Sequence, residues 1–113
     1  MIYWITGRGK SGKTTLARRL AKQINGIILA GEDIREYFPQ DYTLSGRRAN
    51  LELITNFALI LEKQGFNVII CCQSPNYQMR KELQSKFEEC LEIQLPFGNN
   101  DAWGNIEYEE TPL

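Results

Sequence analysis

The sequence predicts an α/β domain of three layers, in which helices cover both faces of a short parallel sheet. Two observations support this. First, the apolar residues 1–6 lead through a glycine-rich stretch into a helix, which is indicated by Leu16, Leu20 and Ile24 at helical spacing. Second, the same alternation of apolar strand and amphipathic helix repeats along the chain. Repeated βα units imply parallel strands with right-handed crossovers.

The first half of the chain continues with a strand and two further helices. A glycine just past the last helical position is a common stop, so the first helix should end near Gly26. The apolar run 27–30 predicts the second strand, and Pro39 ends the brief helix that follows it. After a loop over 40–46, a longer helix is predicted over 47–64, because its apolar residues share one face.

The second half adds two strands and one helix. Residues 66–72 are apolar except for Asn67, as expected of a central strand that is covered on both faces. Ser74 precedes Pro75, a pattern typical of a capping residue followed by proline at the first helical position. Residues 91–95 alternate strictly between apolar and polar, which predicts a half-exposed edge strand.

Length and composition predict one domain over residues 1–95, with residues 96–113 forming a C-terminal tail packed on its core. The 42% apolar and 24% charged fractions are ordinary for a globular protein. No apolar run is long enough for a membrane span, and the N-terminus does not resemble a signal peptide. Three cysteines without metal-site spacing, in a sequence with no histidine, argue against a disulfide framework or a zinc site and predict a cytoplasmic location. Cys71 and Cys72, at the end of an apolar strand, are predicted to be buried thiols.

Charge is distributed unevenly between the two halves of the sequence. Residues 1–48 carry nine basic and four acidic side chains, whereas residues 49–113 carry four basic and ten acidic ones. The basic half therefore contains the glycine-rich stretch. A pI near 5.5 does not favour long-range attraction of nucleic acid, so small phosphorylated ligands are the expected partners.

The glycine-rich stretch over residues 7–14 matches the phosphate-binding pattern G-x-x-x-x-G-K-[ST]. In such a loop, backbone N–H groups of the turn and of the following helix start converge on one anion. The lysine reaches the terminal phosphates, and the threonine hydroxyl joins the magnesium shell. We therefore predict ATP and Mg²⁺ as ligands, with Lys13 catalytic and Thr14 at the metal. The predicted nucleotide-binding residues are Gly7, Gly9, Lys10, Ser11, Gly12, Lys13, Thr14 and Thr15.

Polar residues also follow the second strand. Ligands of an open parallel sheet bind outside the carboxyl ends of its strands, where Glu32, Asp33 and Arg35 are expected. Phosphoryl transfer needs a carboxylate to orient the acceptor hydroxyl, and cations to hold the acceptor's own anionic group. We assign the first role to Glu32 or Asp33 and the second to Arg35. Helix capping by one of the carboxylates is the alternative.

Three more residues complete the predicted acceptor site. Arg47 and Asn50 lie three positions apart on one helix face, where they could clamp an anion or simply form a helix-start pair. Ser74 is first of all a capping residue, and its backbone N–H could also contact a ligand at the end of the third strand.

Taken together, these residues resemble the adenylylsulfate kinase family of P-loop kinases, which use ATP to phosphorylate the ribose 3′-hydroxyl of adenylylsulfate. The resemblance covers most of residues 1–95, and it implies a P-loop kinase-like domain whose parallel sheet has the strand order 2-3-1-4. Its elements are Ile5-Thr6-Gly7, the run from Ser11 to Ala17, Gly31 to Arg35, Arg47-x-x-Asn50, and Ser74-Pro75. The family's Asp-Gly-Asp-Asn-x-Arg appears here as Ala30-Gly31-Glu32-Asp33-Ile34-Arg35, so the resemblance places the acceptor-activating role on Glu32.

The sequence departs from the family pattern after the fourth strand. Family members close a basic lid over the phosphates, whereas residues 98–104 are too few and contain no cation. Residues 106–112 resemble the segment that follows the lid, so we expect a minimal domain without the lid, the fifth strand and the last helix. Leu44 stands where the family has an aromatic that stacks on the acceptor's adenine. Trp103 is either a substitute cover for a base or a cap on the sheet face.

These observations favour an ATP-dependent phosphotransferase that acts on a small phosphorylated or sulfated acceptor, with adenylylsulfate as the leading candidate. A kinase for a nucleotide, a nucleic-acid 5′ end or a sugar is the first alternative. The second is a catalytically silent nucleotide-binding module, because the lid is missing and Ala30 replaces an acid. A homodimer through the exposed edge strand is the candidate assembly.

Overall fold

Four parallel strands in the order β2-β3-β1-β4 form the sheet, which confirms the predicted α/β class and strand order. The structure, a computed structural model, describes residues 1–99 and 106–112. No helix within those residues is both long and apolar enough to cross a bilayer. The elements in chain order are β1 (Ile2–Thr6), α1 (Lys13–Ile24), β2 (Ile27–Ala30), α2 (Gly31–Tyr37), α3 (Leu44–Lys63), β3 (Val68–Cys71), α4 (Tyr77–Gln84) and β4 (Cys90–Gln94).

Two apolar layers cover the faces of this sheet. On one face, Leu51 and Ile54 of α3 and Leu83 of α4 pack with Trp4 of β1 in the larger cluster. On the other face, Ala17 of α1 joins a smaller cluster. All four positions of β3 are buried, which explains its continuous apolar sequence. No position of β4 is fully buried, and β4 lies at the sheet edge as its alternating sequence predicts.

The long helix α3 begins at Leu44, three residues before its predicted start. The reason is the residue ahead of it: the Thr43 hydroxyl accepts a hydrogen bond from the Gly46 N–H at 3.1 Å, which caps the first turn. The predicted loop over 40–46 is shortened accordingly.

The cap predicted for α4 at Ser74 was wrong. The helix begins at Tyr77, and Asn76 caps it by accepting a hydrogen bond from the Met79 N–H at 2.8 Å. Ser74 is instead buried, and its hydroxyl bonds to side chains of β1. The helix therefore starts two residues further along the chain than predicted.

The segment 106–112 packs beside β1 and β4. Its buried Tyr108 donates a hydrogen bond to Gln94 Oε1 at 2.8 Å and accepts one from Thr6 Oγ1 at 3.2 Å. The proposed cover by Trp103 falls outside the residues that the structure describes. Treating 96–113 as a unit separate from the domain stays a prediction.

The buried guanidinium of Arg80 ties this segment to the sheet. Its Nε lies 3.1 Å from Glu92 Oε1 of β4. Its Nη1 donates to the Ser74 carbonyl at 2.5 Å, and its Nη2 donates to the Glu109 carbonyl at 2.7 Å and to the Thr111 hydroxyl at 2.9 Å. One fully buried cation thus connects α4, β4 and the C-terminal segment.

Glu92 makes the strength of this connection depend on pH. Burial alone raises the pKa of Glu92, but hydrogen bonds from Thr111 and Gln84 and the charge of Arg80 outweigh it, so its pKa lies below the usual value. A carboxyl with a lowered pKa stabilises the fold above its unfolded-state pKa of about 4.3, and this contribution is lost as the pH falls through the folded-state pKa. We therefore expect the free energy of unfolding in urea to fall more between about pH 6 and pH 3 in the wild type than in Glu92→Gln. Identical pH profiles for the two proteins would contradict this role.

Candidate functional site

The loop between β1 and α1 turns on two glycines with positive φ. Gly7 has φ 152° and Gly12 has φ 96°. A Cβ at Gly7 would lie 3.1 Å from the Leu95 carbonyl oxygen, whereas a Cβ at Gly12 would meet no atom within 4 Å. Position 12 therefore needs glycine for its backbone angle alone. Position 7 needs glycine both for its backbone angle and because a Cβ would crowd the Leu95 carbonyl.

The ammonium group of Lys13 is folded onto this loop. It donates to the Arg8 carbonyl at 2.7 Å and to the Gly7 carbonyl at 3.1 Å, and its Nζ lies 3.3 Å from Ser11 Oγ. Lys13 is the first residue of α1, a helix that no described side chain caps. A helix start of this kind combines a partial positive charge with a lysine, which suits an anion.

A cavity of about 600 Å³ lies between this loop and the carboxyl ends of β2 and β3. Residues 9–15 form one wall. The other predicted site residues that line the cavity are Glu32, Asp33, Arg35 and Arg47. Those that do not line it are Gly7, Asn50 and Ser74.

Glu32 and Asp33 are exposed in the first turn of α2. The N-cap residue of this helix is Ala30, and no described side chain makes a cap hydrogen bond there. Both residues line the same cavity as Thr14. Carboxylate and hydroxyl oxygens are the hard donors that Mg²⁺ prefers, so this donor set fits a magnesium ion that is shared with substrate phosphates.

Two arginines lie close to the ring of Tyr42 in the cavity wall. The guanidinium carbon of Arg35 lies 4.3 Å from the ring centroid, and that of Arg47 lies 5.6 Å from it. Arg47 is buried, and its Nε donates to the Tyr42 carbonyl at 3.0 Å. The Arg35 Nε is buried and has no hydrogen-bond partner among the described residues. Two cations beside a partly exposed ring suit a ligand that is both anionic and planar.

Sequence reasoning missed Tyr42 and Arg18, which both line the cavity. The aromatic position was assigned to Leu44, but Leu44 begins α3, is 49% exposed and does not line the cavity. An aromatic residue shortly before two consecutive arginines was the available signal for Tyr42. No sequence signal identified Arg18 as a cavity residue, because the adjacent Arg19 is chemically the same and spacing does not separate the two.

Asn50 and Ser74 are buried behind the cavity wall. The Asn50 Nδ2 donates to the Gly31 carbonyl at 3.4 Å. The Ser74 hydroxyl accepts from the Trp4 indole N–H at 3.1 Å and lies 2.9 Å from Thr6 Oγ1. These side chains hold the start of α2 and the end of β3, and the structure does not bring them to the cavity itself.

All three cysteines are free, and Cys71 and Cys72 line the cavity. Burial raises the pKa of Cys71, and it raises the pKa of Cys72 and of Cys90 to about 12. The thiols are therefore protonated at neutral pH and are poor nucleophiles and metal ligands. In the part of the chain that the structure describes, no cluster of three or more metal-ligating side chains occurs.

The outer side of the phosphate loop is contacted by the residues that follow β4. The Asn99 N–H donates to the Gly9 carbonyl at 3.0 Å. Gly98 has φ 96°, and a Cβ there would overlap the same carbonyl. Further along, Glu110 Oε1 lies 3.0 Å from Arg8 Nη1. These contacts fix the loop from outside, while its inner side lines the cavity.

Residues 1–101 match the family model for adenylylsulphate kinase. The adenylyl-sulfate kinase of Myxococcus xanthus is 32% identical over 94 residues, which cover 78% of this chain and 51% of the relative. The probable adenylyl-sulfate kinase of Bacillus subtilis is 31% identical over 94 residues, which cover 77% and 48%. The chain thus spans about half the length of these curated relatives.

The fold is also that of a solved structure, the Mycobacterium tuberculosis APS kinase in complex with AMPPNP and APS, where APS is adenylylsulfate. The two share a TM-score of 0.77 and 20% sequence identity. The match covers 83% of this chain and 61% of the other. At this level of identity the likeness is one of fold.

Proposed function

The chain belongs to the adenylylsulfate kinase family, and from that membership we propose that it transfers the terminal phosphoryl group of ATP to a hydroxyl of a small phosphorylated or sulfated acceptor. Adenylylsulfate is the leading candidate for the acceptor. The observation that carries the proposal is that the phosphate loop, two carboxylates and two arginines line one cavity. A phosphoryl-transfer site needs these three kinds of group.

The donor nucleotide is assigned to residues 9–15. Backbone N–H groups of the loop and of the first turn of α1 bind its phosphates. Lys13 leaves the Gly7 and Arg8 carbonyls and neutralises the charge on the transferred group. Thr14, with one of the carboxylates Glu32 and Asp33, would hold Mg²⁺. When bound, this ion would neutralise negative charge on the phosphates.

The acceptor is assigned to the α2 side of the cavity. Glu32 or Asp33 orients the acceptor hydroxyl and takes up its proton. Arg35 and Arg47, which lie beside the Tyr42 ring, bind the acceptor's anionic group. Asn50 and Ser74 were predicted to bind the acceptor, but both side chains are buried behind the cavity wall. We therefore assign them the role of supporting the wall.

The proposal is tested by measuring ADP release from ATP·Mg in the presence of adenylylsulfate, nucleotides, a 5′-hydroxyl oligonucleotide or sugars. We expect adenylylsulfate to stimulate ADP release more than the other compounds do. Stimulation by one of the others instead would identify a different acceptor class.

A catalytically silent nucleotide-binding module is the second candidate. It is favoured by the absence of lysine and arginine after Lys86, since no cation from that part of the sequence can cover the phosphates. Tight ATP binding without stimulation by any acceptor would support this candidate.

The arginine assignment predicts that Arg35→Ala affects one ligand more than the other. Loss of a hydrogen bond to a charged group costs about 1.5–3 kcal/mol, so we expect the acceptor KM to rise about 10- to 100-fold. The Kd for ATP·Mg, measured by calorimetry, should stay within about twofold of the wild type, because Arg35 lies on α2 rather than on the loop. Arg19→Ala, at an exposed position of α1, is the control and should change neither constant. Equal losses for both ligands would refute the assignment.

Location and assembly stay predictions. The three free thiols are consistent with the cytosol. A homodimer would form through the β4 edge, where Leu91 is half-exposed.

A further inference from the structure

Lys10 lies in the phosphate loop in a backbone conformation that residues with side chains rarely adopt. Its φ is 56°. Apart from glycines, the other described residue with positive φ is Asn25, at the C-terminal end of α1. Asparagine tolerates this conformation because its short side chain can bond locally, and it is common at helix ends. Lysine has no such advantage, whereas glycine would adopt the same angle without strain.

A backbone hydrogen bond just before Lys10 and a glycine turn just after it accompany this strained conformation. The preceding Gly9 is fixed by the Asn99 N–H, which donates to its carbonyl at 3.0 Å. On the other side, Gly12 turns the chain into α1 with φ 96°. Strain that the surroundings impose in this way clusters at functional sites, where the side chain has a role that a relaxed residue cannot fill.

The side chain of Lys10 is in a position to act on a bound nucleotide. It is exposed and lines the cavity, whereas Lys13 is half-buried in the loop. The other basic residues that line the cavity are Lys13, Arg18, Arg35 and Arg47. Arg18, Arg35 and Arg47 lie on α1, α2 and α3, so Lys10 and Lys13 are the cavity-lining cations at the phosphate loop itself.

We propose that the Lys10 ammonium binds the terminal phosphate of the donor from the solvent side, opposite Lys13, and that this contact selects a nucleoside triphosphate over a diphosphate. The inference rests on the proposed function, because it assumes that the loop binds a nucleotide. A cation on each side of the terminal phosphate neutralises charge on the group that is transferred. The strained backbone is the cost of placing the second cation there.

Two variants of Lys10 separate the strain from the charge. Lys10→Gly removes both, so we expect a higher midpoint of urea unfolding together with about tenfold weaker ATP·Mg binding. Lys10→Met removes the charge and keeps the strain, so the same loss of ATP affinity should occur without the gain in stability. Affinity for ADP·Mg should change by less than about twofold in both variants, since ADP lacks the terminal phosphate.

Asn25→Gly is the matched control, because it relieves a similar angle of 53° at the far end of α1. It should not change either affinity. If the wild type binds ATP·Mg and both Lys10 variants keep its ratio of ATP to ADP affinity, the inference is overturned while the proposed function stands. If the wild type binds no ATP·Mg, the proposed function fails and the inference fails with it.

Discussion

Lys13→Ala should reduce the rate of phosphotransfer about 100- to 1000-fold and weaken the binding of ATP·Mg. The ammonium is held beside the loop by the Arg8 and Gly7 carbonyls, and no other described cation has this position. Its removal leaves the charge of the transferred phosphoryl group without its partner from the helix start. ADP release measures the rate, and calorimetry with ATP·Mg measures the affinity.

The matched control is Lys22→Ala, which removes an exposed lysine from the last turn of the same helix. This variant should bind ATP·Mg and turn over like the wild type. Wild-type turnover by Lys13→Ala would contradict the role assigned to it. Equal losses in the two variants would show that the effect comes from α1 as a whole.

Arg80→Met should lower the free energy of unfolding by about 3–5 kcal/mol, the range for breaking a buried ion pair from one side. Arg80 is fully buried, and its partner Glu92 is 14% exposed. The variant leaves that carboxylate without its cation, and it leaves the Ser74 and Glu109 carbonyls without their donor. Urea denaturation measures the loss.

Two further variants make this stability prediction specific. Arg48 pairs with Glu52 and Glu82 on the exposed surface, so Arg48→Met should have a stability close to that of the wild type. Adding Glu92→Gln to Arg80→Met should recover part of the loss, because the unpaired buried charge is then removed. A loss no greater than that of Arg48→Met, or no recovery in the double variant, would contradict the importance of this buried pair.

The fold class could be predicted because its signals are local, whereas the strand order was implied by the family resemblance. The continuous apolar run of β3 is what a strand buried on both faces requires, and the alternation of β4 is what an edge strand requires. Rules for parallel sheets then leave few possible orders. The phosphate-loop motif and the positions of Glu32 and Arg35 at a strand end likewise follow from sequence spacing.

The details that sequence reasoning missed depend on contacts between distant residues. Ser74 and Asn76 are both good capping residues, and the choice between them is decided by Trp4 and Thr6, which bond to the Ser74 hydroxyl. Tyr42 lies in the cavity wall because Arg47 bonds to its backbone carbonyl and lies beside its ring. Neither contact leaves a periodic pattern in the sequence.

Amide resonances of the ¹⁵N-labelled protein, titrated with ATP·Mg, report most directly on the loop between β1 and α1. We expect the largest shift changes at the N–H groups of residues 9–15, with one saturating isotherm, and we expect them to be lost in Lys13→Ala. An unchanged spectrum, or changes confined to other parts of the chain, would contradict the assignment of a polyphosphate to this loop.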